Sequence, residues 1–142
     1  MLLNLKRILE MNGADRYLLD TNILIYFLQG EEVAISFFNN IIDKDLCISL
    51  INKIEVLSFP DISENEEMEI NQFLLNFVTL NVDDPVAEET IRIRKKYNLK
   101  LGNALISATS IMHDAVLVSR NETDFSKVEG LKFLNPYSTE MK

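Results

Sequence analysis

Tyr17-Leu18-Leu19-Asp20-Thr21-Asn22-Ile23-Leu24-Ile25 decides how the chain is read. A short apolar run stops at a carboxylate. A second apolar stretch then begins at once with side chains suited to a helix start. The first part reads as a buried strand. Residues 21–29 read as a helix, with Thr21 or Asn22 as N-cap and Gly30 as the stop.

The alternation continues outward from there. Residues 33–42 carry apolar positions at helical spacing, residues 46–49 form a second short strand, and residues 51–59 are helical up to Pro60. Ser63-Glu64-Asn65-Glu66 is a capping box that opens a helix to about Phe77. Residues 78–82 read as a strand. Asp84-Pro85 starts the next helix, with Asp84 as cap, and its end at about Tyr97 is basic (Arg92, Arg94, Lys95, Lys96), as the helix dipole favours. A helix over 103–113, a strand over 115–119 and an edge strand over 132–134 complete the pattern. Strands alternating with helices imply a mainly parallel sheet covered on both faces, a three-layer α/β/α domain. In such sheets ligands bind beyond the carboxyl ends of the strands.

Composition bounds the function. The chain has 142 residues, 47% hydrophobic, enough for one domain with a real core. Residues 1–15 read as a short helical extension and 16–142 as the domain. A single cysteine, Cys47, excludes an internal disulfide framework and reads as an inert buried residue. With no apolar run long enough for a secretory signal or a membrane span, a cytoplasmic protein is expected. The net charge of −8, from 22 acidic and 14 basic residues, argues against a simple basic nucleic-acid binder. Clustered carboxylates have another use, which is to hold divalent cations that then meet phosphate.

The acidic residues sit where that use requires. Asp20 follows the first strand, Glu55 lies on the helix after the second, and Asn121 and Asp124 follow the fourth. Asn103 opens the helix before the fourth strand, where it is also well suited to be an N-cap. Single oxygen ligands drawn from separate elements are what a Mg²⁺-type site uses. Glu55 between Ile54 and Val56 needs a partner if it is buried. His113, the only histidine, has no visible partner for acid–base work and reads as structural.

Four segments in this order resemble the PIN-domain family of the VapC toxin type. They are Leu18 to Ile25, Ile48 to Leu57, Leu101 to Thr109 and Val116 to Phe125. The resemblance implies a metal-dependent endoribonuclease, the toxin of a toxin–antitoxin pair, using Mg²⁺ or Mn²⁺ and metal-activated water on an RNA such as a tRNA. It implies Asp20, Glu55 and Asp124 as catalytic and metal-binding acids, with Asn22, Ser119 and Asn121 as polar support. A further metal ligand of the family falls on Asn103, where an acid is expected, and the proline before it falls on Gly102. Asn offers a carbonyl oxygen but no charge. Weakened activity is therefore expected, or a PIN-fold module that binds RNA or a partner protein with little catalysis.

The resemblance also implies an antitoxin that lays an amphipathic helix into an apolar groove near the acids. It implies a homodimer as well, for which the segment around Ile35, Phe37, Phe38 and Ile41 is the sequence's candidate surface. Other α/β classes fit less well. A dehalogenase-type phosphatase needs a second acid where Asn22 stands, a receiver domain needs an acidic pair at its first strand, and four scattered glycines build no phosphate loop.

Overall fold

The structure, a computed structural model, describes residues 15–138. The expected N-terminal extension, apart from Asp15, lies outside the described residues. Five strands are present, β1 (Arg16–Leu19), β2 (Asp45–Ser49), β3 (Val78–Leu80), β4 (Val116–Val118) and β5 (Lys132–Leu134). All pair in parallel, in the order β3-β2-β1-β4-β5. The helices are α1 (Thr21–Leu28), α2 (Glu32–Ile41), α3 (Leu50–Leu57), α4 (Glu64–Leu74), α5 (Asp84–Tyr97), α6 (Leu101–Met112) and the short α7 (Glu122–Phe125).

The period-2 geometry of the strands divides the core into two. Tyr17, Leu19, Ile48, Val116 and Val118 face one way and pack with Ile23, Leu24, Phe37, Phe38 and Ile41 of α1 and α2. Leu18, Cys47 and Leu117 face the other way, against Ile106 of α6 and Phe125 of α7. These three lie side by side, because Leu18 registers with both Cys47 and Leu117. The layers are those expected. Cys47 is buried, and burial pushes its thiol up to about 11, so it is inert as a nucleophile.

Several local expectations shift. Asp20, not Thr21 or Asn22, caps α1: its extended backbone precedes the helix and its carboxylate accepts from the Thr21 N–H at 2.8 Å. Asp83, not Asp84, caps α5 and accepts from the Val86 N–H, which moves Asp84 and Pro85 into the first turn. Helix α6 starts at Leu101 after an N-cap Lys100, so Asn103 lies within its first turn and is not the cap. Gly30 ends α1 as read, at φ +79°, where a side chain would be strained. Phe37, Phe38 and Ile41 are spent inside the monomer's core, leaving Ile35 as the exposed member of the segment read as a dimer surface.

Candidate active site

The sheet order decides where a site forms. From β1 the chain steps outward to β2 and β3 on one side, and β4 and β5 lie on the other. The switch therefore falls between β1 and β4, and the crevice opens past their carboxyl ends. Asp20 and Ser119 are the first residues beyond those two strands.

The Asp20 N–H still donates to the Val118 carbonyl at 2.9 Å, which holds the residue in the sheet ladder. Its Oδ1 accepts from the Thr21 N–H, and its Oδ2 accepts from Ser119 Oγ at 2.8 Å. The side chain is nearly enclosed, with 7% exposure. Burial pushes its carboxyl above the ordinary aspartate range, the bonds from Ser119 and Thr21 pull it back, and the charge of Glu55 pushes it up again. A buried carboxylate next to a second one favours any arrival of positive charge.

Asn52 ties the two acids together. It is fully buried in the first turn of α3, where its Oδ1 accepts from the Ser49 N–H at 2.8 Å and closes a capping box. Its Nδ2 donates to Thr21 Oγ at 3.1 Å and reaches Asp20 Oδ1 at 3.5 Å. Thr21 Oγ in turn donates to Glu55 Oε1 at 2.7 Å. Glu55 itself is exposed, so it needs no buried counter-charge.

The opposite wall is built differently. Asn103 Nδ2 donates to Asp124 Oδ2 at 2.8 Å, and Asn121 Nδ2 donates to the same oxygen at 3.2 Å. Asn121 Oδ1 accepts from the Asp124 N–H and so caps α7. The Asn121 N–H donates to Ser119 Oγ at 3.0 Å. Ser119 thereby touches both walls, donating to Asp20 and accepting from Asn121.

Between the walls lies a cavity of about 470 Å³ bordered by Asp20, Thr21, Asn22, Glu55, Asn103 and Asn121, with Ile25, Phe59 and Pro60 as its apolar edge. No Lys, Arg or His is among its described lining residues. Asn22 Oδ1 is buried there with no hydrogen-bond donor among the described residues. Asp124 stands behind Asn103 and Asn121 and does not itself border the cavity.

This donor set suits a hard divalent cation. All the polar groups on offer are oxygens or amides, Asp20 and Glu55 both border the cavity, and Asn22, whose buried Oδ1 has no partner among the described residues, borders it too. A Mg²⁺-type ion commonly takes one or two carboxylates and keeps several waters. Among the described residues no three His, Cys, Asp or Glu side chains gather into a ready-made cage. The fit is therefore to a hydrated ion on Asp20 and Glu55, with the neutral oxygens of Asn22 and Asn103 in reach of the same cavity. The Asn103 amide N–H is already committed to Asp124, so only its carbonyl oxygen is left to serve.

The sequence-derived residues Asp20, Asn22, Glu55, Asn103, Ser119, Asn121 and Asp124 thus come together around one crevice. Asn52 and the Thr21 hydroxyl were missed. The signal for Asn52 was present as a Ser49-x-x-Asn52 capping box, with Asn in place of the usual Glu or Gln.

The PIN domain family model matches residues 17–131. The chain belongs to the PIN domain family. No curated protein sequence matches it. Among solved PIN-fold neighbours, a chain of a toxin–antitoxin complex from Klebsiella pneumoniae is 32% identical, with a TM-score of 0.76 over 86% of this chain and 98% of that one. VapBC2 from Rickettsia felis, bound to a DNA fragment from its promoter, has a TM-score of 0.75 at 21% identity, covering 84% of this chain and 98% of that one. DNA-bound VapBC from Salmonella typhimurium has a TM-score of 0.74 at 21% identity, covering 85% and 98%. The latter two show a shared fold. PIN domains are generally nucleases that use divalent metals. Among the described residues, no helix of this PIN domain is long and apolar enough to cross a membrane.

Proposed function

We propose that the chain is the ribonuclease toxin of a VapC-type toxin–antitoxin pair, with catalysis restrained by Asn103. The observation that carries the reading is the pair of carboxylates, Asp20 and Glu55, which border one cavity, with no Lys, Arg or His among its described lining residues, at the switch point of a PIN sheet. The toxin–antitoxin neighbour at 32% identity supports the biological setting.

Asp20 and Glu55 would hold Mg²⁺ or Mn²⁺, with Asn22 and Asn103 offering neutral oxygens and Asp124 orienting Asn103 from behind. When bound, such an ion supplies the positive charge that makes water a competent nucleophile and offsets charge building on a phosphodiester. Ser119 and Asn52 keep Asp20 in place, and Thr21 holds Glu55 toward the cavity. Ile25, Phe59 and Pro60 limit water on one side. The substrate is RNA, and a structured RNA such as a tRNA suits a recessed site.

A groove of about 350 Å³ adjoins the cavity and shares Ile25, Phe59 and Pro60 with it. Leu28, Val56, Ile62 and Ile70 give it an apolar floor, and Asp61, Glu66 and Glu69 an acidic rim. An antitoxin helix with one apolar face and a basic flank fits that chemistry. We also expect a homodimer in the cytoplasm, formed through a face other than the buried Phe37–Phe38 segment. Light scattering that shows a monomer at high micromolar concentration would count against it.

A second reading has a specific observation in its favour. The Asn103–Asp124 bond satisfies one wall without any cation, as a PIN module that binds RNA or a partner with little catalysis would require. One experiment separates the readings: RNA cleavage in Mg²⁺ and Mn²⁺ by the natural chain and by Asn103→Asp. Cleavage by the Asp form alone supports the restrained enzyme. No cleavage by either form removes the ribonuclease reading and leaves the binding module.

A further inference from the structure

Arg120 differs from the other described arginines. Arg16 bonds Asp45 and the His113 carbonyl, Arg92 pairs with Glu89, and Arg94 donates to the Leu99 carbonyl. The basic end of α5 is thus largely occupied, since Lys96 also pairs with Glu129. Arg120 has no hydrogen-bond acceptor among the described residues. Its guanidinium lies over the Tyr137 ring at 4.5 Å and the Tyr26 ring at 5.5 Å. Among the described arginines, Arg120 alone has its guanidinium on aromatic rings and no hydrogen-bond acceptor there.

The rings that hold it are themselves fixed. Tyr26 and Tyr137 meet edge-on with centroids 5.3 Å apart, and the Tyr137 hydroxyl donates to Glu31 Oε1 at 3.1 Å. Contact with the ring faces leaves the guanidinium N–H groups free to donate. The cation also has a defined place. Ser119, just before it, holds Asp20, and Asn121, just after it, borders the cavity. Tyr26 follows Ile25 and lies one helical turn from Asn22, both of which also border the cavity. An arginine held on two rings, its N–H groups without an acceptor among the described residues, therefore lies in the chain between two residues of the acidic crevice.

We propose that Arg120, held by Tyr26 and Tyr137, anchors one phosphodiester of an RNA strand that enters the crevice. The inference rests on the RNA reading above and deepens it. An acidic cavity repels a polyanion, so an incoming strand needs a rim cation to hold it in register. Arginine suits that task, because its planar fork matches two phosphate oxygens at once. The bland alternative is that Arg120 only staples the Tyr137 segment to α1. A staple affects stability, whereas a phosphate contact affects salt dependence.

The test is binding of a short single-stranded oligouridylate to the full chain, followed by fluorescence anisotropy across a salt series with Ca²⁺ as the divalent ion. Arg120→Ala is expected to weaken binding about tenfold and to reduce the slope of log affinity against log salt by about 0.7, the contribution of one single-strand phosphate. Arg120→Lys keeps the slope but loses part of the affinity, because the charge stays and the fork goes. Tyr26→Leu leaves the charge in place and weakens binding without changing the slope. An unchanged slope in Arg120→Ala overturns the assignment, even where affinity and melting temperature both fall. Loss of antitoxin binding with an unchanged RNA slope overturns it too and gives Arg120 to the partner protein. If the natural chain does not bind the oligonucleotide at all, the anchor for a strand is overturned, and if it does not bind a tRNA mixture either, the RNA reading fails together with it.

Discussion

The two walls of the crevice solve the same electrostatic problem in opposite ways. On the β1–α3 wall, Asp20 and Glu55 are bridged by the Thr21 hydroxyl and the buried Asn52 amide, which position them without neutralising them. On the α6–α7 wall, one oxygen of Asp124 receives amide donors from both Asn103 and Asn121. The first wall keeps unmet negative charge facing the cavity. The second is satisfied by its own side chains. In the proposed function such a site would hold its cation from one side only, and the closed wall rests on the amides of Asn103 and Asn121.

Asn103→Asp breaks the asymmetry and carries the largest expected effect. It replaces an amide donor with a second acceptor 2.8 Å from Asp124. Two ionised carboxylates near 4 Å repel by about 4 kcal/mol at an effective dielectric near 20. Without metal, the variant should therefore melt lower than the natural chain, or take up a proton. With Mg²⁺ or Mn²⁺ it should bind metal at least about tenfold more tightly and cleave RNA about 100-fold faster or more, because a well-placed ion replaces a loosely held one. Calorimetric titration, thermal melts with and without metal, and cleavage assays check each part. Equal cleavage by both forms would show that Asp20 and Glu55 suffice and that residue 103 has no such role.

Glu55→Gln tests the open wall. Glu55 is exposed and its bond from Thr21 survives in the glutamine form, so stability should change by no more than about 0.5 kcal/mol. Metal affinity should fall about tenfold in either residue-103 background, and cleavage by the Asn103→Asp chain should drop correspondingly. A variant that loses stability instead would mark Glu55 as a structural residue of α3.

Asn52→Ala probes the scaffold beneath the open wall. Asn52 has 0% exposure, and its removal strands the Ser49 N–H and loosens both Thr21 and Asp20. Unsatisfied buried groups cost about 1–3 kcal/mol each, so a loss of about 2–3 kcal/mol is expected in denaturant unfolding. Metal affinity should fall with it. Unchanged stability would mean that the capping box carries no weight here.

The contrast between walls also marks what could be read in advance. Strand and helix order was legible because short apolar runs, capping residues and the Gly30 stop each have a local cause. The placement of Asp20 and Glu55 at strand ends followed from the same alternation. Caps were missed by one residue at α1 and α5, because Asp20, Thr21 and Asn22, or Asp83 and Asp84, are all competent caps and only the backbone conformation selects one. Asn52 was hidden because its partner Thr21 is 31 residues away. Of the segment read as a dimer surface, Phe37, Phe38 and Ile41 are buried because an amphipathic α2 turns them inward, and periodicity alone does not say what an apolar face meets. Asn103 was flagged by what the family expects there, yet its bond to Asp124 depends on how α6 and α7 approach.

Asn121→Ala gives the smallest effect and the sharpest comparison with Asn52→Ala. Both asparagines use one oxygen to cap a helix and one amide to hold a site carboxylate. Asn52 is buried and closes the capping box of an eight-residue helix whose N-cap is Ser49, whereas Asn121 is half-buried and caps only the four residues of α7. Losing an N-cap of this kind costs about 1 kcal/mol, and water can reach the groups that Asn121 leaves behind. The expected loss is therefore about 1 kcal/mol, at most half of that for Asn52. Asn121→Asp separates the two uses of the side chain. It keeps a capping oxygen for the Asp124 N–H but replaces the amide donor with a charge beside Asp124. Its melt should match the natural chain more closely in Mg²⁺ than in EDTA. If Asn121→Ala instead destabilises as much as Asn52→Ala, the closed wall is as much a part of the fold as the open one, and the division between a charged wall and a self-satisfied wall would have to be given up.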